Sequence, residues 1–277
     1  MKTKIRINSK IIITIIMMFI VGIGYAQIKG NGNVITEDRN TGDFTGIKLA
    51  CSADVFISQG STSVKVKVDE NIIKLVKTTV EDGVLKIDVK GKSIRSVTVF
   101  EVYISLPSLD MLKNSGSGDI EFKGTFKAND LFIGNNGSGD IDAEFDVTNL
   151  ELKLNGSGDI ELEGINGTFK VSNSGSGDVD VEGLKLEECY VKGAGSGDID
   201  LSGKTNNLTI TNAGSGDVSA YNLTAVNASV SNSGSADITL NVVEKLQARL
   251  NGSGDVTYRG DPQVEVKSSG SGEVYKK

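Results

Sequence analysis

The carboxylates invite a chemical reading first, because an acidic residue closes each copy of a Gly-Ser-Gly-Asp tetrad in this 277-residue sequence. The tetrad ends at Asp119, Asp140, Asp159, Asp178, Asp198, Asp217 and Asp255, with variants ending at Asp237 and Glu273, spaced 18 to 21 residues apart. Two residues later runs a second acidic series, Glu121, Asp142, Glu161, Asp180 and Asp200, with Glu163 and Glu182 beside it. Carboxylates so placed could cleave a glycoside as an acid and base pair, or hold a divalent cation. A catalytic pair should distinguish one copy of a repeat, whereas these acids recur in most copies. With no His, the chain has no Ser-His-Asp triad, no HExxH metal site and no imidazole proton shuttle. Calcium-binding repeat toxins share the Gly and Asp content but have a nine-residue period, and place an acid where this chain has Ile199. A phosphate-binding glycine loop needs a following helix, and here a strand pattern follows. The residues therefore point to no catalytic set, no cofactor and no dedicated metal set. The column Glu121, Asp142, Glu161, Asp180, Asp200 is left as a candidate ligand-facing surface.

The elements that position this column follow from the repeat. Each acid is followed by Ile or Val: Ile120, Ile141, Ile160, Val179, Ile199, Val218, Ile238, Val256 and Val274. A second apolar position lies two residues on, as in Phe122, Leu162 and Leu201, with a polar residue between, so each tetrad opens a half-buried strand. Seven residues before each acid stands another apolar column, Leu112, Ile133, Leu152, Val171, Val191, Ile210, Val230, Ala248 and Val266. Its partner nine before the acid includes Leu131, Phe169 and Cys189, which makes two strands per coil with a weaker third side. Units this short bury a core only by stacking, so the chain is expected to be all-β, a parallel β-solenoid (β-helix) of nine to ten coils. Nine coils span roughly 38 Å at about 4.8 Å per step, and the crossover rule favours the right hand. Glycines in the tetrad are expected to supply a turn at positive φ, and its Asp to accept turn amides. Five before the acid, Asn114, Asn135, Asn173, Asn212 and Asn232 share the apolar parity and should stack as buried amides bonded to the turn.

Residues 27–110 break the period and read as an N-terminal cap with a first coil, ahead of repeats over 111–277. Val64–Val68 and Val84–Val89 read as longer strands joined through Glu81-Asp82-Gly83, and Glu70–Lys77 as a short helix. Cys51-Ser52-Ala53-Asp54 is a degenerate tenth tetrad. Residues 1–26 form a signal peptide: a basic start at Lys2, Lys4, Arg6 and Lys10, the apolar run Ile11–Ile23, then small residues before Gln27. No Cys follows that cleavage point to take a lipid. Losing four basic residues moves the net charge from −7 to −11, which disfavours nucleic acid. No second apolar segment is expected to span a membrane as a helix, and no later strands are expected to form a barrel. The only thiols, Cys51 and Cys189, fall several coils apart, roughly 20 Å along the axis, and should not pair.

The sequence also resembles a known family, the bacterial putative autotransporter adhesins with a head GIN domain. The likeness rests on Gly30-Asn31-Gly32-Asn33-Val34, on Phe44-Thr45-Gly46-Ile47 leading to Ser52-Ala53-Asp54-Val55, on Tyr103-Ile104-Ser105-Leu106-Pro107, and on the tetrad series. It implies an exported, adhesin-like β-helical domain and carries over no catalytic residues. The expectation is an exported, non-catalytic scaffold in the periplasm, at the cell surface or secreted. It would present a repetitive acidic face to an envelope or extracellular partner, a protein, a polysaccharide or a divalent cation. A polysaccharide-active β-helix enzyme with a carboxylate pair, and a purely structural envelope protein, are the alternatives.

Overall fold

The computed structural model describes residues 28–91 and 94–277, so the signal peptide expected over 1–26 lies outside the described residues. Period-two alternation becomes a parallel β-solenoid of about nine turns. In the middle coils each tetrad launches a strand that runs almost to the next tetrad, as in Ile141–Leu154, Ile160–Asn173, Val179–Gly193, Ile199–Asn212 and Val218–Asn232, so the two expected strands join into one bent ribbon. In the coils after Asp119 and Asp255 they stay separate, as Ile120–Phe122 with Phe126–Asn135 and Val256–Arg259 with Gln263–Ser268. The register between coils holds on the sides flanking the tetrad, pairing Ile141 with Ile160 and Leu152 with Val171. It slips on the third side, for instance between Glu163 and Thr168 and between Val181 and Leu184. There the 18-to-21-residue variation is absorbed without disturbing the tetrads.

The inward columns close into one core. Ile120, Ile141, Ile160, Val179, Ile199, Val218, Ile238 and Val256 are all buried, and so is the third side through Val147, Ile165, Leu184, Leu223 and Val242. Burying each such side chain contributes about 1.5–3 kcal/mol, shared between neighbouring coils. Cys189 continues one of these columns between Phe169 and Leu208. Cys51 and Cys189 are both free, as expected.

The tetrad glycines correct the turn argument. None of them has the left-handed φ assigned to them; positive φ falls instead on Gly124, Gly164, Gly183, Gly203 and Gly260, after the first side. The tetrad glycines answer a different constraint, the closeness of stacked coils. A Cβ on Gly137 would overlap the carbonyl oxygen of Gly116, and one on Gly156 that of Gly137. The Asn column behaves as the parity requires. Buried Asn135 donates to the Gly139 carbonyl at 2.8 Å and accepts from the Gly137 amide at 3.1 Å, and Asn173 does the same with Gly177 and Gly175.

Before the repeats the chain stacks out of sequence order. Gly46–Leu49 lies between Val84–Val89 and Met111–Asn114, and Asp54–Gln59 lies between Phe100–Leu106 and Ile120–Phe122. The later strands Val84–Val89 and Phe100–Leu106 therefore form the outer coil, and the earlier strands Gly46–Leu49 and Asp54–Gln59 the inner one. Gly116 and Gly118 sit directly against Cys51 and Ala53, so the degenerate tetrad is a true coil corner. Two readings of this region change. The Asp82-Gly83 turn, with φ of 52° and 74°, joins Val84–Val89 to Val76–Glu81, not to Val64–Val68. The helix covers only Glu70–Ile73, because β-branched Val76, Thr78, Thr79 and Val80 enter that hairpin. Ser63–Asp69 instead pairs antiparallel with Phe100–Leu106 and Val34–Arg39.

Candidate functional site

The acids after the tetrad stand on the solvent side of the first face. Pairing puts Glu121 beside Asp142, Asp142 beside Glu161, Glu161 beside Asp180 and Asp180 beside Asp200. The column ends at Ser219. A parallel column, Glu144, Glu163 and Glu182, runs along the same face, and the two enclose a shallow groove of about 260 Å³. Asp142, Glu161, Asp180 and Asp200 are exposed, while Glu121 is half-buried and pairs with Lys123. Among the described residues the other four make no ion pair. Burial, and then the charge of Asp200, raise the Asp180 carboxyl above its ordinary value.

The tetrad acids form a third column, and their chemistry is structural. Each accepts, through Oδ1, the backbone N–H of the acid in the next coil: Asp140 N–H to Asp119 at 2.9 Å, Asp159 to Asp140 at 2.8 Å, Asp178 to Asp159 at 2.8 Å, Asp198 to Asp178 at 2.7 Å. The ladder reaches back to Asp54, which takes the Asp119 N–H at 3.2 Å. Charge-assisted bonds of this kind are stronger than neutral ones and lock the corner register. The sequence indicated that these acids accept turn amides; that the amide belongs to the next coil required the stack.

One buried carboxylate escaped the sequence reading. Asp69, fully buried, accepts from Gly32 N–H and Thr98 N–H, both at 2.7 Å, and from the Thr98 hydroxyl at 2.9 Å. Burial pushes its carboxyl up, but these donors together outweigh it and leave it below the ordinary value. It ties the Gly30–Asn33 loop to the cap. The lone inward Asp at the end of an alternating Val-Lys strand was its only signal.

Chemically, the acidic face is a line of repeated negative charge. Unit charges one coil apart, about 4.8 Å, repel by about 0.9 kcal/mol in bulk water and more near a protein surface. Among the described residues no cluster of three or more acids or thiols converges to hold a metal ion, and no helix is long and apolar enough to cross a membrane.

Comparison with known proteins places the fold in a family. The family model described as "Putative auto-transporter adhesin, head GIN domain" matches residues 43–201 and 190–262. No curated protein matches the chain. Among solved structures, a "putative lipid binding protein" from Parabacteroides distasonis is 26% identical with a TM-score of 0.66, covering 91% of this chain and 99% of its own. A "putative adhesin" from Parabacteroides merdae is 23% identical with a TM-score of 0.70 over 91% of this chain and 99% of its own. Another from Parabacteroides distasonis is 22% identical with a TM-score of 0.68 over 91% and 100%. The two adhesins share the fold, and the family match takes in the degenerate tetrad, the reordered coils and all but the last of the repeats. The chain belongs to the putative auto-transporter adhesin, head GIN domain family.

Proposed function

We propose that this protein is an exported, non-catalytic, adhesin-like scaffold whose acidic face, Glu121, Asp142, Glu161, Asp180 and Asp200, engages an envelope or extracellular partner. The observation that carries this reading is the column itself: carboxylates held in register with no ion pair from Asp142 to Asp200 among the described residues. Like charges so placed oppose folding, and a cationic protein segment or a divalent cation would relieve them. The acids repeat from coil to coil, which suits a long presenting surface better than a single catalytic centre. Family membership supports an exported or surface location.

The test is capture of envelope components by the immobilised protein, compared with Asp142→Asn/Asp180→Asn/Asp200→Asn. Binding by the wild type that falls as salt rises, and falls by about tenfold or more in the variant, supports the reading. Equal capture by both proteins removes the acidic face from it. Polysaccharide cleavage by the wild type would favour the enzyme alternative.

A further inference from the structure

The face leading into each tetrad differs from the acidic one. Its outward residues form a groove of about 710 Å³ around Tyr190, bordered by Lys153, Lys170, Lys192, Thr209 and Thr211. The pleat sets these residues in line: Lys170, Tyr190 and Thr209 are successive coil neighbours, and Lys192 stands beside Thr211. Tyr190 is 40% exposed, and the Lys170 ammonium lies 5.8 Å from its ring centroid. Glu151, which also borders the groove, is neutralised by Lys153 at 2.6 Å. Lys170 and Lys192 have no ion pair among the described residues; the Glu188 carboxylate, which accepts the Asn207 side-chain amide at 2.9 Å, lies within hydrogen-bond reach of the Tyr190 hydroxyl, and its charge raises that phenol above its ordinary value.

We propose that this groove binds an acidic polysaccharide strand lying along the solenoid axis. The Tyr190 ring offers a flat surface for the apolar face of a sugar, with its hydroxyl held at the edge by Glu188. Lys170 and Lys192 meet the carboxylates of the strand, and the Thr209 and Thr211 hydroxyls exchange hydrogen bonds with sugar hydroxyls. Charge complementarity selects this seat. The carboxylate columns on the first face repel a polyanion, so its approach is steered to the side where unpaired lysines flank an exposed ring. A neutral glycan gains no charge pairing from the lysines, and a polyphosphate has no apolar sugar face to lay on the ring. The site is separate from the acidic face and does not depend on its role.

Affinity electrophoresis through polygalacturonate tests the proposal, with dextran and polyphosphate as the neutral and purely anionic comparisons. Polygalacturonate should retard the wild-type protein at low salt and dextran should not. Lys170→Gln/Lys192→Gln should weaken retardation by about tenfold. Tyr190→Ala should weaken it by about fivefold at an unchanged melting temperature while leaving any polyphosphate binding intact. Asp180→Asn/Asp200→Asn should retain full polygalacturonate binding, which separates this site from the acidic face. No retardation of the wild type, or a Tyr190→Ala variant that binds polygalacturonate as tightly as the wild type, overturns the proposal.

Discussion

At Gly177 the place a side chain would take is already filled by the carbonyl of Gly158 in the preceding coil. Gly177→Val must therefore spread two coils at the corner where the Asp ladder holds them. Overpacking of this kind costs about 1–3 kcal/mol or more. Ser176, by contrast, is exposed, and its hydroxyl hydrogen-bonds that of Ser157 at 3.2 Å. Ser176→Ala should change stability by no more than about 0.5 kcal/mol. Thermal melts of the two variants check the contrast, and equal losses would mean that close stacking is not what the glycine serves. The thiols need no such test of packing. Burial lifts the Cys189 thiol to about 12 and, with smaller contributions, the Cys51 thiol to about 11, which leaves both protonated and poorly reactive at neutral pH.

The strand Ser63–Asp69 shows how one residue can fasten an element. Its alternating valines fill the core, and Asp69 at its end collects donors from the Gly30–Asn33 loop and from Thr98. Because the folded carboxyl titrates below its ordinary value of 3.8, its contribution is fully present above that pH and is lost as pH falls through the lower, folded value. Asp69→Asn should thus be less stable than the wild type at neutral pH, with the gap closing in strong acid. Denaturant melts across that range measure it, and a gap independent of pH would contradict the assignment. These elements also show what the sequence could disclose. Ile160 and Val171 announced their columns because each recurs at a fixed offset from an acid. Gly46–Leu49 could not announce its place beside Val84–Val89, since that pairing joins segments outside the period. The Tyr190 groove stayed hidden for a different reason: its residues do stand at fixed offsets, eight and six before the acid, but the residue type changes from coil to coil, as in Glu151, Lys170, Tyr190 and Thr209, so no repeated chemistry marks those columns.

For the whole molecule, the stack makes stability nearly a sum over neighbouring coils. Removing residues 160–178 would join Asp159 to Val179 and return every later side chain to its column. The shortened protein should fold with unchanged β content and a modest loss in melting temperature, read by circular dichroism. Failure to fold would show that the coils are not interchangeable. The acidic face belongs to this scale as well, because its repulsion accumulates along the axis while the core beneath it is built from near-identical layers. If the face is kept for a partner, the empty protein should bear it as a cost. The raised carboxyl of Asp180 has the matching sign: such a group favours the folded state when protonated and loses that advantage as pH rises. The decisive measurement is the melting temperature of Asp142→Asn/Asp180→Asn/Asp200→Asn against the wild type at low salt and neutral pH. The account predicts a rise of about 3 °C or more in the variant, shrinking in high salt and vanishing in acid where the wild-type carboxylates are protonated. A melting temperature that falls would mean the carboxylates help hold the solenoid together, and one that stays level would mean that the column costs nothing; either result would contradict a face maintained for binding at the expense of stability.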